Sequence, residues 1–453
     1  MATAQPVNIT KTFRVYPKTL HPPKILSLSN LDRQCPLLMY LVLFYKPSNC
    51  CNHPQTLSMD LVFDRLKSGL EETLSAWNTA AGRLCLNPSD GKLDLWCNNS
   101  GAILAEAVTQ VKLSELGDLS QYNLFFENLV YKPAFNGNFS DMPLVAAQVT
   151  RFGCGGYSVG IGTSHSLFDG PATHDFLSAW ASCSSMTGNG RLDQRRIPVH
   201  ERERLLFVGK KWSKNSRVST GRVSAIDHLY RLIQQAATDW SDMAQQQSTD
   251  QENFVLRTFH VSGASMERLK RLVLGERCQN YSHCSSFEAR TKALGVKKER
   301  MVCLQFAVDI RSKLVPPLPR GFSGNAYVLA SVSSVAGELE GESHEAIIEK
   351  IKEAKNSITN EYVRGYIEAL DAPQPTLPPL KELTLVSDLT RMPFHQIDFI
   401  HGEAACVSPL VPPIPQVAYF MQSPNDNKGI DMRIGLLPQT LNAFSHYFLS
   451  PLE

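Results

Sequence analysis

The chain has 453 residues, of which 43% are hydrophobic and 19% are charged. This length exceeds what one hydrophobic core normally supports, so two domains are expected, and the apolar fraction excludes wholesale disorder. Lys and Arg total 45 against 43 Asp and Glu, and this balance gives no large electric field for nucleic acid or an anionic membrane.

In the first half, an apolar run at 37–45 predicts a strand that is buried on both faces. The following helix, expected to end near Gly82, is predicted from apolar residues at helical spacing, which are Phe63, Leu66, Leu70, Leu74 and Trp77. Strands at 143–149 and 157–162 are joined by the glycine-rich segment 153–156, which favours a hairpin with positive φ.

Residues 186–222 are rich in Arg, Lys and Ser and poor in large apolar residues, which predicts a linker. The second half is predicted to contain, in chain order, a strand at 253–261, a helix at 265–274, a helix beginning near Ser285-Ser286, a strand at 301–310 and one long helix at 344–367. Strands alternate with helices in both halves, so the expected fold class is α/β.

Targeting and metal signals are missing from the sequence. The polar segment 1–20 lacks the apolar run of a signal peptide, and about 18 consecutive apolar residues, the length of a membrane span, occur nowhere. Eleven scattered cysteines favour reduced thiols, and no segment has the spacing of metal ligands. We therefore expect a cytoplasmic protein with no membrane span, no metal and no nucleic-acid partner.

The segment His165–Gly170 (HSLFDG) forms an H-x-x-x-D-G pattern at the end of a predicted strand. For a chain with twelve histidines, about 0.04 occurrences of this pattern are expected by chance. An imidazole suits general-base catalysis near neutral pH, whereas Asp169 is expected to turn inward as a structural anchor. The alternative is a core histidine beside a turn, with no catalytic role.

Several motifs appear in a fixed order with this segment over nearly the full chain. They are Leu28–Asp32 (LSNLD), Ala81–Leu84 (AGRL), His165–Gly170, Ser286–Ala289 (SFEA), Val308–Arg311 (VDIR), Pro317–Pro319 (PLP) and Gly324-Asn325. In this order they resemble the BAHD superfamily of plant CoA-dependent acyltransferases. The H-x-x-x-D-G motif is diagnostic in that context, and each of the other motifs is weak alone.

The resemblance implies two similar chloramphenicol-acetyltransferase-like domains, each a mixed β-sheet flanked by helices, with a channel between them. The expected boundaries are 1–190 for the N-terminal domain, 191–222 for the crossover linker and 223–453 for the C-terminal domain, with part of about 370–400 packing against the first domain. His165 would deprotonate the acceptor, and Asp169, supported by Gly170, would pair with Arg311. Neither a metal nor a covalent enzyme intermediate is required.

The second signature of the family, D-F-G-W-G, is degenerate here and appears as Asp398–Gly402 (DFIHG). Asp398, Phe399 and Gly402 remain and imply structural support of the site. Ile400 replaces a glycine, and since a β-branched residue disfavours positive φ, a changed backbone is expected there. His401 is expected to be a loop or packing residue and not a second catalytic group.

Upstream of this signature, Ser387-Asp388-Leu389 replaces the Thr-Ser-Trp of hydroxycinnamoyl transferases. Ser387 keeps a hydroxyl that could donate to the oxyanion of the tetrahedral intermediate, and an ordinary turn serine is the alternative. Leu389 cannot supply the indole, so the acceptor pocket is expected to differ from that of shikimate-using enzymes.

The predicted function is acyl transfer from acyl-CoA, as a co-substrate, to the hydroxyl or amine of a plant specialised metabolite, by a monomer without a permanently bound cofactor. The acyl donor is expected to be hydroxycinnamoyl-CoA, and the residues that contact CoA are not identified. Two alternatives stay open: a non-catalytic relative that acts as a partner of another enzyme, and lyase chemistry at the same histidine.

Overall fold

The computed structural model of the chain describes residues 6–47, 59–134, 136, 138–185, 197–206, 254–272, 278–370, 383–400, 402–410, 417–426 and 428–449. The strands are β1 (Asn8–Val15), β2 (Lys24–Leu26), β3 (Leu38–Tyr45), β4 (Arg83–Leu86), β5 (Leu93–Cys97), β6 (Ala102–Val108), β7 (Val145–Arg151), β8 (Tyr157–Ser164), β9 (Val255–Val261), β10 (Met301–Asp309), β11 (Tyr327–Val335), β12 (Leu383–Asp388), β13 (Cys406–Pro409), β14 (Val417–Gln422) and β15 (Ile430–Leu436).

The α-helices are α1 (Met59–Ala76), α2 (Gly170–Ser184), α3 (Gly263–Leu272), α4 (Cys278–Ala293), α5 (Ala336–Gly341), α6 (His344–Asn356), α7 (Asn360–Ala369) and α8 (Leu441–Leu449). The chain divides into two compact units. Unit 1 comprises Met1–Leu206, Pro319–Asn325 and Met392–Leu410, and unit 2 comprises Phe207–Leu318, Ala326–Arg391 and Val411–Glu453.

Unit 1 is built on a six-stranded sheet with the order β1-β6-β7-β8-β3-β13. Strands β6 and β7 pair in parallel, and the other neighbours are antiparallel. A small sheet, β2-β5-β4, completes the strands of this unit. Helices α1 and α2 pack against each other, and the indole nitrogen of Trp180 donates to the carbonyl of Leu66 at 2.8 Å.

Unit 2 is built on a second six-stranded sheet, with the order β11-β10-β12-β14-β15-β9. Strand β12 pairs in parallel with β10 and with β14, and the remaining pairs are antiparallel. Helices α4 and α8 pack together, and α6 packs against α4 and β11. Both units therefore contain a mixed sheet with helices, which confirms the predicted α/β class.

Local predictions in the first half are largely confirmed. The apolar run at 37–45 forms β3, whose second half, Val42–Tyr45, is fully buried. The hairpin between β7 and β8 has Gly155 at φ +83°, the positive φ that its glycines predicted. Gly82 is not the predicted helix stop, because α1 ends earlier, at Ala76. Its lack of a side chain instead allows close approach of the Trp96 backbone, since a Cβ at Gly82 would lie 2.7 Å from the carbonyl oxygen of Trp96.

Two helix predictions in the second half are wrong. The expected single helix at 344–367 is two helices, α6 and α7, because Thr359 accepts a hydrogen bond from the amide of Tyr362 and so caps a new helix. The expected start at Ser285-Ser286 lies inside α4, which begins at Cys278. Ser286 is buried there. The serine–glutamate pattern predicted a helix cap, but this serine is a buried residue in the interior of the helix.

The predicted boundary at 190 and the linker at 191–222 stay predictions. Residues 191–196 and 207–222 lie outside the described part of the chain. The described segment between them, 197–206, belongs to unit 1. Its Val199 forms a parallel bridge with Phe322, a contact within unit 1 between segments that lie far apart in the sequence.

Candidate active site

His165 lies in the turn that joins β8 to α2, directly after the last residue of the strand. Both polar atoms of its backbone are held: the amide donates to the carbonyl oxygen of Leu37 at 2.9 Å, and its carbonyl oxygen accepts a hydrogen bond from the side-chain amide of Asn325. The residue is only partly buried, whereas β8 before it is entirely buried. The turn therefore presents an imidazole on a backbone that is fixed on both sides.

Asp169 ends the same turn and caps α2. Its Oδ1 accepts a hydrogen bond from the amide of Ala172 at 3.0 Å, and its own backbone is extended, as is usual for an N-cap. Gly170 is the first residue of the helix, and Pro171, which lacks an amide hydrogen, fits the first turn. Asp169 is 4% exposed, so its side chain is directed into the protein interior, and its supporting role at the site stays a prediction.

An aromatic cluster holds the turn against α1. The ring centroids of Trp77 and Phe168 are 6.1 Å apart, and Phe176 contacts both rings at 5.4 and 5.3 Å. All three side chains are buried. Phe168 lies in the turn itself, and its packing against Trp77 and Phe176 restricts movement of the turn that carries His165.

The Asp398–Gly402 loop keeps the backbone conformation that a glycine would allow, although it contains Ile400. Ile400 has φ +80°, and Gly402 has φ +91°. The expectation that isoleucine avoids positive φ at this position is therefore wrong. The loop is held locally by a hydrogen bond of 2.8 Å from the Gly402 amide to Oδ1 of Asp398. His401, the fourth residue of the segment, lies outside the described residues.

Two buried tyrosines of the unit 1 sheet explain how this conformation is maintained. Tyr157 donates from its hydroxyl to the carbonyl oxygen of Phe399, and Tyr45 donates to that of Ile397 at 2.8 Å. Burial raises the pKa of Tyr45 well above its ordinary value, so its hydroxyl stays a donor. Phe399 is itself buried, with its ring centroid 4.8 Å from that of Trp180 in α2.

Arg311 and Ser387 lie in unit 2. Arg311 follows β10, and its guanidinium forms an ion pair of 3.2 Å with Asp309, whose Oδ1 also accepts from the Arg311 amide at 2.7 Å. Ser387 lies in β12, opposite Tyr419 of β14, and is partly buried. Pairing of Arg311 with Asp169, and donation by Ser387 to an oxyanion, would join residues of different units and stay predictions.

A buried ionic network in unit 1 was not predicted from the sequence. Asp32 is 0% exposed, and its Oδ2 accepts from Nε of Arg202 at 3.0 Å, while the side-chain oxygen of Ser29 donates to the same oxygen at 2.7 Å. Its Oδ1 accepts from the backbone amide of Asn325 at 2.9 Å. Asp32 and Asn325 were noted only as parts of family motifs, and Arg202 lay in the predicted linker.

The surroundings of this network are also buried. Burial, followed by the nearby Arg202 charge, lowers the pKa of His200 to about 3, so this ring is neutral at physiological pH. Its Nε2 lies 3.1 Å from the hydroxyl of Thr79. A Cβ at Gly324 would lie 2.6 Å from Nη2 of Arg202, so the glycine gives the guanidinium its space.

The described ranges contain neither a metal-binding cluster nor a helix that could span a membrane. No group of three or more His, Cys, Asp or Glu side chains there could hold a metal ion. Within the same residues, no helix combines the length and hydrophobicity that crossing a membrane requires.

Comparison with known proteins gives consistent matches over the whole chain. The model described as the Transferase family matches residues 5–450. The chain is 49% identical over 466 residues to Brassinosteroid-related acyltransferase 1 of Arabidopsis thaliana, with 99% of each chain covered. It is 26% identical over 432 residues to Omega-hydroxypalmitate O-feruloyl transferase of the same plant, covering 93% of this chain and 88% of the relative. The crystal structure of vinorine synthase shares the fold, with a TM-score of 0.72 at 18% identity over 98% of both chains.

Proposed function

Because the chain belongs to the BAHD Transferase family and is an acyltransferase, we propose that it transfers an acyl group from a coenzyme A thioester to a hydroxyl or amine of a plant specialised metabolite, with His165 as general base. The observation that carries this proposal is the intact His165–Gly170 turn, whose histidine is partly exposed on a fixed backbone. Acyl-CoA is a co-substrate in this scheme and not a resident cofactor.

The proposed mechanism is direct attack. A nitrogen of the His165 imidazole accepts the acceptor proton while the acceptor oxygen or nitrogen bonds to the thioester carbonyl carbon. The tetrahedral intermediate collapses with cleavage of the carbon–sulfur bond, and the imidazolium returns its proton to the departing thiolate, which leaves as CoA thiol. Ser387 is proposed to donate to the oxyanion, and Asp169, Gly170, Arg311, Asp398 and Gly402 are proposed to support the site.

For the substrates, we propose oxygen acylation with a hydroxycinnamoyl donor as the first combination to test. The relative at 26% identity is named for feruloyl transfer to oxygen, and the relative at 49% identity is named for brassinosteroids. A panel should therefore pair feruloyl-CoA and acetyl-CoA with a brassinosteroid, a long-chain ω-hydroxy acid and an aliphatic amine. A monomeric state and a cytoplasmic location are parts of the same proposal.

The decisive experiment compares His165→Ala with the wild-type protein in this panel, following thiol release together with product mass. His174→Ala is a matched control, because His174 lies in α2 but outside the turn. Loss of a general base typically costs about 100- to 10,000-fold in rate, so His165→Ala should fall by that amount and His174→Ala should stay within about threefold. Undiminished transfer in His165→Ala would exclude the base assignment.

The two alternatives are separated by the same assay. A non-catalytic partner would release no thiol from any thioester with any acceptor. Lyase chemistry would convert the thioester into a new product without any added acceptor. Acyl transfer requires both substrates and gives CoA thiol together with an acylated product whose mass is the sum of the acyl group and the acceptor less one hydrogen.

A further inference from the structure

We propose that Asn325, held by the buried Asp32–Arg202 pair, is a positioning residue that fixes His165 through the backbone carbonyl of the histidine. This inference rests on the proposed function, since it assumes that His165 is the general base. It adds three residues to the site that lie 133, 37 and 160 positions from His165 along the chain (32, 202 and 325), and all three belong to unit 1.

The first step is the environment of Asp32. Its two carboxylate oxygens accept from Nε of Arg202, from the amide and hydroxyl of Ser29, and from the amide of Asn325, at distances between 2.7 and 3.0 Å. Three of these donors are directed to Oδ2, and the Asn325 amide is directed to Oδ1. The fully buried carboxylate is thus rigidly oriented by three separate chain segments.

The second step is the segment that carries Asn325. The amide of Val199 donates to the carbonyl of Gly321, and the amide of Ser323 donates back to Val199, both at 2.8 Å. Arg202 lies 5.8 Å from the ring centroid of Phe322. Together with the hydrogen bond from the Asn325 amide to Asp32, these contacts fix the backbone of residues 321–325.

The third step is the link to the histidine. With its backbone fixed, Asn325 directs its side-chain amide to the carbonyl oxygen of His165. The preceding peptide, between Ser164 and His165, is held by Leu37, which follows the Asp32 segment in the chain and accepts from the His165 amide. Removal of the Asn325 donor would free one side of the turn, and displacement of a reacting group by about 1 Å costs about 100-fold in rate.

Asn325→Asp and Asn325→Ala test the link directly. Both substitutions remove the side-chain donor but keep the backbone amide that binds Asp32, so the ion pair with Arg202 is retained. We expect kcat to fall about 10- to 100-fold, with KM within about threefold, because the loss concerns the transition state and not substrate binding. Wild-type kcat in Asn325→Asp would overturn the inference.

A double-mutant cycle with His165→Ala distinguishes positioning from general support of the fold. If Asn325 acts only through His165, adding Asn325→Ala to His165→Ala should change the residual rate by less than about twofold. An equal fold-loss in both backgrounds would show that Asn325 acts independently of His165 and would overturn the proposal. If the residual rate is too low to measure, kcat of the single Asn325 variants decides.

Asp32→Asn has a matched control in Asp431→Asn. Asp431 is also a buried carboxylate, but it lies in β15 of unit 2, where its Oδ1 is 2.7 Å from Nδ1 of His260 in β9 of the same unit. Assayed well below both melting temperatures, Asp32→Asn should lose about 10-fold or more in kcat and Asp431→Asn should stay within about threefold. Equal losses of kcat in the two variants would show that Asp32 contributes to the stability of the fold and not to the position of His165.

Failure of this inference can be told apart from failure of the proposed function. If His165→Ala transfers acyl groups at the wild-type rate, the general-base assignment itself is wrong. If His165→Ala is inactive while the Asn325 and Asp32 variants retain full kcat, the base assignment stands and only the positioning network is rejected.

Discussion

At residue 400 the chain places a β-branched side chain where φ is +80°. This region of backbone conformation costs an L-residue about 1–2 kcal/mol and costs glycine almost nothing. The tyrosine hydrogen bonds to Ile397 and Phe399 hold the residues before the strained position, and the hydrogen bond from the Gly402 amide to Asp398 holds the loop after it. Contacts with the sheet of unit 1 therefore outweigh the local preference of isoleucine, which explains why the prediction from the sequence was wrong.

A pair of substitutions at this residue tests the strain. Ile400→Ala removes the branched side chain but keeps a Cβ, and Ile400→Gly removes both. At an ordinary position glycine is less stable than alanine by about 0.5–1 kcal/mol, whereas here we expect Ile400→Gly to be the more stable variant, by about 1 kcal/mol. Urea unfolding of both variants gives the comparison, and the ordinary order of stability would show that residue 400 is not strained.

Helix α2 follows the candidate base, and its N-terminus is capped by Asp169. Asparagine caps a helix as well as aspartate does, whereas alanine cannot accept the hydrogen bond from Ala172. We expect Asp169→Ala to be less stable than Asp169→Asn by about 1 kcal/mol in urea unfolding. Both variants lose the charge equally, so the difference reports the cap alone.

The same pair of variants also addresses Arg311. If the predicted Asp169–Arg311 pair exists, the loss of stability on Asp169→Asn should shrink in an Arg311→Gln background, because the unpaired charge is then removed as well. Equal stability of Asp169→Ala and Asp169→Asn, in contrast, would show that the hydrogen bond to Ala172 contributes little to folding.

Packing of α4 against α6 in unit 2 contains a pH-dependent contact. Nε2 of His344 lies 2.8 Å from Glu288, and this hydrogen bond raises the pKa of His344 above 6.5. Burial favours the protonated form of Glu288, but the hydrogen bonds from His344 and Lys292 outweigh it and lower the pKa of this carboxyl. Glu345, next in the chain, also favours the charged form of His344.

The sign of the resulting stability change follows from these directions. Because the folded-state pKa of His344 is raised, its contribution is fully present below about pH 6.5 and is lost as the pH rises through the raised pKa. The Glu288 contribution is present above about pH 4.5 and is lost as the pH falls through the lowered pKa. The contact should therefore stabilise the protein most between these limits.

Urea unfolding between pH 5 and 9 of the wild-type protein and His344→Gln measures this contribution. The stability difference should not exceed about 1 kcal/mol, since both side chains are partly solvated, and it should decrease as the pH rises above about 6.5. Lys292→Gln is the control on the same carboxylate, because lysine stays charged across this range. A difference for His344→Gln that is independent of pH would contradict the assignment.

For the whole molecule, unit 1 is assembled from segments that are distant in the sequence. The first 206 residues provide most of it, but 319–325 supplies Asn325 and 392–410 supplies strand β13 and the Asp398–Gly402 loop. Each late segment is held by buried polar contacts: Asp32 with Asn325, and Tyr157 with Phe399. Such long-range pairs leave no periodic pattern in the chain.

Sequence periodicity predicted the secondary structure correctly where a single helix or strand buries one of its faces. The helical spacing from Phe63 to Trp77 corresponds to α1, in which Leu66, Leu70 and Leu74 are fully buried. Periodicity failed at 344–367, where a short break and the Thr359 cap divide a continuous pattern into α6 and α7. The break at 357–359 is three residues long and contains the buried Ile358, so it does not interrupt the apolar repeat visibly.

By itself, the sequence determined the α/β class, the family and the candidate base, because these follow from local spacing and from a motif of six adjacent residues at His165–Gly170. Only the tertiary structure decided that Ile400 takes positive φ and that Asp32, Arg202 and Asn325 meet behind His165. Burial and long-range hydrogen bonding determine these features, and they depend on which distant segments the fold brings into contact.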